Sequence, residues 1–212
     1  MQIVKQGSIG PQEAAEAMAE VLRKGGLVCL PCNGTYRILA DLQDSDAVLR
    51  LLQSKRRVHK APSLVFVDRI EGLKEITEQV NEEATAIMKQ FWPGPVTILF
   101  EASSQLPRKI SKELTRANGC IGVRIPEEKI ARDVVKAFGK PLLVSSANKG
   151  KKAGESSPAQ VRQSFLGRVD YFYDAGDLAP EPSSTVIGIT KTGIEVVRKG
   201  AVSEEVLRAA LG

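Results

Sequence analysis

The chain has 212 residues, of which 42% are hydrophobic and 26% are charged. These proportions exclude full disorder and a fibrous repeat. Thirty Lys and Arg residues against 25 Asp and Glu residues give a net charge of +5, which favours anionic partners without identifying one.

A chain of this length can bury a core without a metal or disulfide, so we expect one domain over residues 1–212. Three cysteines are too few for a disulfide-rich scaffold. The sequence has no apolar run long enough to span a membrane, and its first residues lack the pattern of a signal peptide. We therefore expect a cytoplasmic protein that does not enter a membrane.

The hydrophobic pattern predicts helices and strands that alternate along the chain. Helices are predicted at residues 11–24, from Asp44 or Ser45 to Leu52, at residues 79–91, 127–138 and 158–165, and from residue 203 onward. Strands are predicted at residues 27–30, 36–42, 64–67, 96–100, 119–124, 141–145, 185–189 and 194–198. This alternation indicates an α/β sheet covered by helices.

The most basic segment follows the predicted helix that begins near Ser45. Residues 50–60 contain five Lys and Arg residues and no acidic residue. Such a run is often a solvated helix face. It also directly precedes a strand, where α/β folds bind ligands at the sheet edge, and there Lys55 and Arg57 would suit phosphate oxygens.

Polar residues end the predicted strand at residues 141–145. Ser146 and Asn148 lead into the basic loop 149–152. They either form an ordinary turn or donate hydrogen bonds to a polar ligand. Arg124 lies inside another apolar strand, where a charge is costly unless it is paired or meets an anion.

Cys29 and Cys32 have the spacing of a redox or zinc pair. Cys29, however, falls inside a predicted core strand, and only Cys120 and His59 remain as further zinc ligands. Two packed, inert thiols are the favoured interpretation.

Seven segments, in order, resemble the YrdC-like family, which includes the threonylcarbamoyl-adenylate synthases and the YciO paralogues. They read LPCNGTY at 30–36, KRR at 55–57, FWPGPVT at 91–97, GVRIP at 122–126, SSAN at 145–148, STV at 184–186 and VRKG at 197–200. The resemblance implies a twisted, mostly parallel but mixed open sheet with flanking helices and a basic concave face. It covers roughly residues 10–200.

The resemblance also implies a reaction in which ATP, L-threonine and bicarbonate give threonylcarbamoyl-AMP and pyrophosphate. Partner proteins would transfer this product to tRNA, forming threonylcarbamoyladenosine. Mg²⁺ would accompany the ATP. Some family members are described as binding double-stranded RNA, so the alternative is a diverged, YciO-like RNA-binding or regulatory protein with weak or no synthase activity.

Roles for individual residues follow from the matching segments. The catalytic residues implied are Lys55, Arg57, Ser146 and Asn148, which would also bind ATP. Further ATP-binding residues implied are Lys60, Cys120 and Arg198. The threonine-binding residues implied are Thr35, Tyr36, Arg124, Ser184 and Thr185.

The first segment departs from the family pattern P-T-D-T-x-Y-G. Cys32, Asn33 and Gly34 replace Thr, Asp and Thr, and Arg37 replaces the final Gly. The phosphate-binding segments are retained while the threonine-binding segment is altered. This combination suits a paralogue that uses another acyl substrate or has weakened activity at least as well as it suits a shift in the alignment. Arg37 places a bulky cation where the family has no side chain, and it would obstruct the threonine pocket if it points into it.

Overall fold

The computed structural model describes residues 1–54, 63–115, 119–148, 155–190 and 193–211. Lys55, Arg57 and Lys60 lie outside these ranges. The strands are β1 (Gln2–Lys5), β2 (Val28–Cys32), β3 (Thr35–Asp41), β4 (Leu64–Phe66), β5 (Val96–Glu101), β6 (Cys120–Arg124), β7 (Leu142–Ser146), β8 (Tyr171–Asp174), β9 (Thr185–Thr190) and β10 (Gly193–Arg198). The helices are α1 (Pro11–Arg23), α2 (Ser45–Ser54), α3 (Glu82–Phe91), α4 (Arg108–Leu114), α5 (Lys129–Phe138), α6 (Pro158–Phe165) and α7 (Glu204–Ala209), with a 3₁₀ helix at Ile70–Glu75.

The strands form one sheet in the order β1-β8-β2-β3-β7-β4-β6-β5-β9-β10. Among the described residues, four of the nine strand pairings are parallel and five are antiparallel. The α/β fold with an open mixed sheet is therefore confirmed. The expected majority of parallel pairs is not observed, because the short connections β2–β3 and β9–β10 can join only antiparallel neighbours.

The predicted helices and strands are all present, with shifted ends. The match is closest at α6, where the Ser157 hydroxyl accepts a hydrogen bond from the Gln160 backbone N–H at 3.3 Å and caps the helix. Strands β1 and β8, helix α4 and the 3₁₀ helix were not predicted. Within the described ranges, no helix is long and apolar enough to cross a bilayer.

Helices cover the two faces of the sheet unequally. A row of paired residues crosses all ten strands and consists of Gln2, Tyr171, Val28, Leu39, Val144, Leu64, Gly122, Leu99, Gly188 and Glu195. Paired residues project to the same side of a sheet. On this side α1 and α5 share a core with Val28, Leu39 and Val144, whereas Leu99 and Gly188 are partly exposed.

The part of this side that α1 and α5 leave uncovered is called the open face below. Helices α2, α3, α4, α6 and α7 all contribute side chains to the core on the opposite side of the sheet. Among the described residues, α1 and α5 are the helices that contribute to the core on the side of the open face.

A two-residue turn, Asn33-Gly34, joins β2 to β3 and sets the register of both strands. The φ angles are +51° at Asn33 and +62° at Gly34, the conformation that favours Asn-Gly in tight hairpins. A Cβ atom at Gly34 would lie 2.6 Å from both the Ala179 carbonyl oxygen and the Glu181 backbone nitrogen. Glycine is therefore required here by backbone conformation and by space.

Candidate functional site

Three arginines, carried by three different strands, influence one another on the open face. Arg37 lies in β3, Arg124 ends β6 and Arg198 ends β10. Burial lowers the pKa of Arg37, and the charges of Arg124 and Arg198 lower it further. Burial and then the charge of Arg124 lower the pKa of Arg198. Mutually repelling guanidinium groups in a partly buried setting form a candidate anion site.

Arg124 is held rigidly by the tip of the β2–β3 hairpin. Its side chain is almost fully buried, with 1% of the residue exposed. One terminal nitrogen donates to the Asn33 side-chain oxygen, and the other lies 3.2 Å from the Cys32 sulfur. The guanidinium carbon lies 5.1 Å from the centre of the Phe66 ring. The Nε atom is buried and has no hydrogen-bond partner among the described residues, a deficit that a bound acceptor would remove.

Glu128, which immediately precedes α5, also binds the hairpin tip. Its carboxylate accepts a hydrogen bond from the Asn33 backbone N–H and another from the Cys32 thiol, at 3.1 Å. Burial raises the pKa of Cys32 to about 12, so this thiol is a protonated donor at neutral pH. Three strands separate β2 from β6 in the sheet, so the hairpin tip must curve over the open face to reach Arg124.

Arg37 lies in the sheet beside Ser146, one of the predicted nucleotide-binding residues. The two residues are register partners between β3 and β7, and their side chains therefore share the open face. The Arg37 Nε atom donates a long hydrogen bond, 3.4 Å, to the Cys32 carbonyl oxygen. The Ser146 hydroxyl donates to the Asn148 side-chain oxygen at 3.2 Å, which places both predicted catalytic residues near Arg37.

Arg198 is oriented by Ser184. One terminal nitrogen of Arg198 donates to the Ser184 carbonyl oxygen at 2.8 Å and to its hydroxyl at 3.1 Å. The Ser184 hydroxyl also lies 3.1 Å from the Thr97 hydroxyl. The predicted ATP-binding arginine and a predicted threonine-binding serine are thus in direct contact.

Two of the predicted threonine-binding hydroxyls have partners inside the protein. The Thr185 hydroxyl donates to the Val202 carbonyl at 2.7 Å and accepts from the Val202 backbone N–H at 3.0 Å. The Tyr36 hydroxyl donates to the Gly176 carbonyl at 2.7 Å and accepts from the Ala175 backbone N–H at 3.0 Å. Tyr36 moreover belongs to the core on the side of the sheet opposite to the open face.

The other predicted site residues lie at the beginning of strands or outside the described residues. Thr35 begins β3 directly after the turn and is partly exposed. Cys120 begins β6 and is also partly exposed. Lys55, Arg57 and Lys60 stay predictions, since they lie outside the described residues.

Cys29 and Cys32 do not face each other. Residues three positions apart in a strand project to opposite faces, and Cys29 belongs to one core of the sheet while Cys32 belongs to the other. Burial raises the pKa of both thiols. This geometry contradicts a shared redox or zinc site and favours the interpretation of packed thiols.

Sequence reasoning missed Glu128 and the contact of Asn33 with Arg124. Glu128 follows Glu127 at the start of a helix, where acidic residues are common for reasons of helix stability alone. The contact between Asn33 and Arg124 joins residues 91 positions apart, and no local pattern marks it. Arg37 was noticed only as an obstruction, whereas the structure makes it part of the arginine cluster.

The comparisons with known proteins agree with this architecture. The family model for Sua5/YciO/YrdC, described as telomere recombination, matches residues 20–200. The chain belongs to the Sua5/YciO/YrdC family. The resemblance carried by the seven sequence segments is thereby confirmed.

Individual members of the Sua5/YciO/YrdC family show how far the similarity extends. A threonylcarbamoyl-AMP synthase of Pyrococcus abyssi is 29% identical over 194 residues, which are 92% of this chain and 56% of the relative. The structure of P. abyssi Sua5 complexed with L-threonine has a TM-score of 0.85 at 28% identity, and it covers 100% of this chain and 60% of that one. Escherichia coli YciO shares the fold, with a TM-score of 0.83 at 24% identity over 97% of this chain and 98% of its own. The chain thus spans less than two thirds of the P. abyssi protein.

Proposed function

We propose that the protein is a nucleotidyltransferase that joins an N-carboxylated amino acid to the AMP moiety of ATP and releases pyrophosphate. L-Threonine and bicarbonate are the reference co-substrates, since relatives at 29% and 26% identity are named threonylcarbamoyl-AMP synthase. The observation that supports this proposal is the arginine cluster on the open face, beside Ser146 and Asn148. Partner proteins would carry the product to tRNA.

The proposed reaction requires positioning more than covalent assistance. An oxygen of the N-carboxylate attacks the α-phosphorus of ATP, the bond to the β-phosphate oxygen breaks, and pyrophosphate leaves with that electron pair. Catalysis then depends on alignment and on neutralising the phosphates. Arg124, fixed by Asn33 and Cys32, would hold the amino-acid carboxylate. Arg198 and Ser146 would bind the nucleotide.

Mg²⁺ is expected to accompany the triphosphate in this reaction. It prefers hard oxygen ligands, and the side-chain oxygens of Ser146 and Asn148, which lie 3.2 Å apart, suit it. When bound, the ion neutralises phosphate charge. By the family resemblance, Lys55 and Arg57 would contribute to the same neutralisation.

The protein's charge supports a second candidate function, binding of double-stranded RNA. The net charge of +5 and the arginine cluster would attract a phosphate backbone. With one Trp, three Tyr and six Phe, the chain has few rings for stacking bases, so backbone shape would be recognised instead of sequence. RNA affinity that falls steeply with salt, with no turnover of ATP, would favour this candidate.

An adenylate-formation assay tests the first candidate. Purified protein is incubated with Mg²⁺-ATP and bicarbonate, with and without L-threonine, and pyrophosphate and labelled threonylcarbamoyl-AMP are followed together. Amino-acid-dependent release of pyrophosphate, lost in Arg124→Met and kept in the surface control Arg69→Ala, is the expected result. Failure of every amino acid to stimulate pyrophosphate release would contradict the proposal.

A further inference from the structure

The arginine cluster carries more positive charge than its surroundings neutralise. Among the described residues, Glu128 is the one carboxylate whose charge raises the pKa of Arg37, whereas the cations Arg124 and Arg198 lower it. Within the described ranges, no salt bridge joins any of the three guanidinium groups to a carboxylate. The remaining segments of the sequence contain no Asp or Glu, so they add no acidic side chain to this balance.

The three arginines differ in how fully the protein uses their hydrogen-bonding groups. Arg124 binds the hairpin tip through both terminal nitrogens, and Arg198 binds Ser184. Arg37 uses only its Nε atom, in the 3.4 Å contact with the Cys32 carbonyl. Its two terminal nitrogens, the fork that binds carboxylate or phosphate in a bidentate manner, have no acceptor among the described residues.

The surroundings of Arg37 suit an anionic group of a ligand. Its register partner Ser146 carries a hydroxyl on the same face, and both residues are partly exposed. The Cys32 thiol keeps its proton and donates it in a hydrogen bond to Glu128. It therefore supplies no negative charge that would compete with a ligand for the terminal nitrogens of Arg37. A guanidinium that is partly buried without a counter-charge is costly, and a bound anion would remove that cost.

We propose that Arg37 receives an anionic group on the side chain of the amino-acid substrate, so that this protein uses an acidic amino acid in preference to threonine. This inference rests on the proposed function for the use of an amino acid at all. Arg124 would hold the α-carboxylate, and the N-carboxylate is common to every amino acid in the reaction. The phosphates of ATP are assigned to Arg198, Ser146, Mg²⁺ and the predicted residues Lys55 and Arg57. The side chain is therefore the part of the amino acid that can balance Arg37. Threonine, with a neutral hydroxyl, would leave this guanidinium unpaired.

Equilibrium binding by titration calorimetry tests the inference directly. L-Aspartate, L-glutamate and O-phospho-L-serine are compared with L-asparagine and L-threonine, so that carboxylate and phosphate side chains form separate arms. At least one anionic amino acid is expected to bind about tenfold more tightly than L-asparagine. Arg37→Gln should abolish that difference while leaving L-threonine binding no weaker. The control Arg69→Gln, at an exposed position, should preserve it.

The same panel, followed by pyrophosphate release, separates the two proposals. Release with an acidic amino acid, dependent on Arg37, supports both. Release with L-threonine and none with acidic amino acids overturns the role of Arg37 and leaves the proposed function standing. Arg37-dependent binding of an acidic amino acid without any release overturns the proposed function and leaves the anionic subsite standing. If L-aspartate, L-glutamate and O-phospho-L-serine all bind no more tightly than L-asparagine, the subsite is overturned.

Discussion

The three cysteines differ in their access to solvent, and this predicts their reactivity. Cys29 and Cys32 are buried, whereas Cys120 is partly exposed. Burial also raises the pKa of Cys120, so its labelling by a thiol reagent should keep accelerating above the ordinary thiol range of about pH 8.5. We expect one thiol to react in the native protein and three after denaturation, with native labelling abolished in Cys120→Ser. Rapid labelling of a second native thiol would contradict the packing of β2.

Glu128 has two effects on the arginine cluster that a substitution can separate. Its charge opposes anion binding, while its hydrogen bonds hold the hairpin tip. Glu128→Gln keeps an acceptor and removes the charge. We expect the affinity for pyrophosphate to rise about threefold to tenfold, from a loss of repulsion of about 1 kcal/mol. Titration calorimetry measures this, with the neighbouring exposed Glu127→Gln as the control, and weaker binding by Glu128→Gln would mean that hairpin positioning dominates.

The sequence indicated that Arg124 needs a partner, but it gave no sign of the role of Glu128. Arg124 could be marked as needing an anion or a partner because a charge inside an apolar strand is costly wherever the strand lies. The structure supplies that partner in Asn33. Glu128 could not be found, because its importance depends on a contact with the hairpin tip that is 95 residues away in the chain.

At the scale of elements, the β2–β3 hairpin makes the sharpest stability prediction. Gly34→Ala combines a left-handed φ of +62° with a clash against backbone atoms 2.6 Å away. Gly139→Ala is the matched control, since Gly139 has a φ of +82° and nothing within 4 Å of its added Cβ. We expect the control to cost about 1 to 2 kcal/mol of unfolding free energy and Gly34→Ala to cost about 1 to 3 kcal/mol more.

Urea denaturation with far-UV circular dichroism measures both glycine variants. Because Asn33 and Cys32 hold Arg124, Gly34→Ala should also weaken pyrophosphate binding, whereas Gly139→Ala should not. Equal destabilisation by the two variants would show that the contact of the turn with Ala179 and Glu181 contributes nothing.

The elements that sequence patterns missed are short. Strand β8 has four residues, all buried, and it lies between β1 and β2 in parallel pairing. A strand of this length gives few positions for a periodic signal. The three-residue β4 was still recognised by its aliphatic residues, whereas β8 consists of two Tyr, one Phe and one Asp. Its partner β1 is an edge strand with mostly exposed residues, so it lacks the apolar run by which the interior strands were recognised.

At the scale of the whole molecule, the continuous sheet predicts cooperative unfolding. All ten strands join one sheet, which carries a core on each side. The single tryptophan, Trp92, lies in only one of these cores, so its fluorescence reports one side while far-UV circular dichroism reports both. We expect the two urea transitions to coincide. Separate midpoints would contradict the prediction of one domain over residues 1–212.

The fold class of the molecule could be predicted from sequence, but the geometry of the arginine cluster could not. Alternating elements indicated the α/β fold, and the matching segments implied site roles for Arg124, Ser146, Asn148 and Arg198, which stay predictions. The curvature that brings the hairpin tip over to β6 depends on twist accumulated across several strands. No single segment specifies that curvature, so the meeting of Arg124 with Asn33 emerged only in three dimensions.

The same hairpin contact has a consequence for the order in which the protein folds. Its hydrogen bonds join residues 91 and 92 positions apart. The chain must therefore lose the entropy of closing a long loop before these bonds can stabilise it. Contacts of such large sequence separation form late, after local helices and hairpins. During refolding, helical circular dichroism should return before the ability to bind pyrophosphate. A nascent or partly unfolded chain would therefore lack the assembled arginine cluster. Ligand binding would then require that the whole sheet has formed.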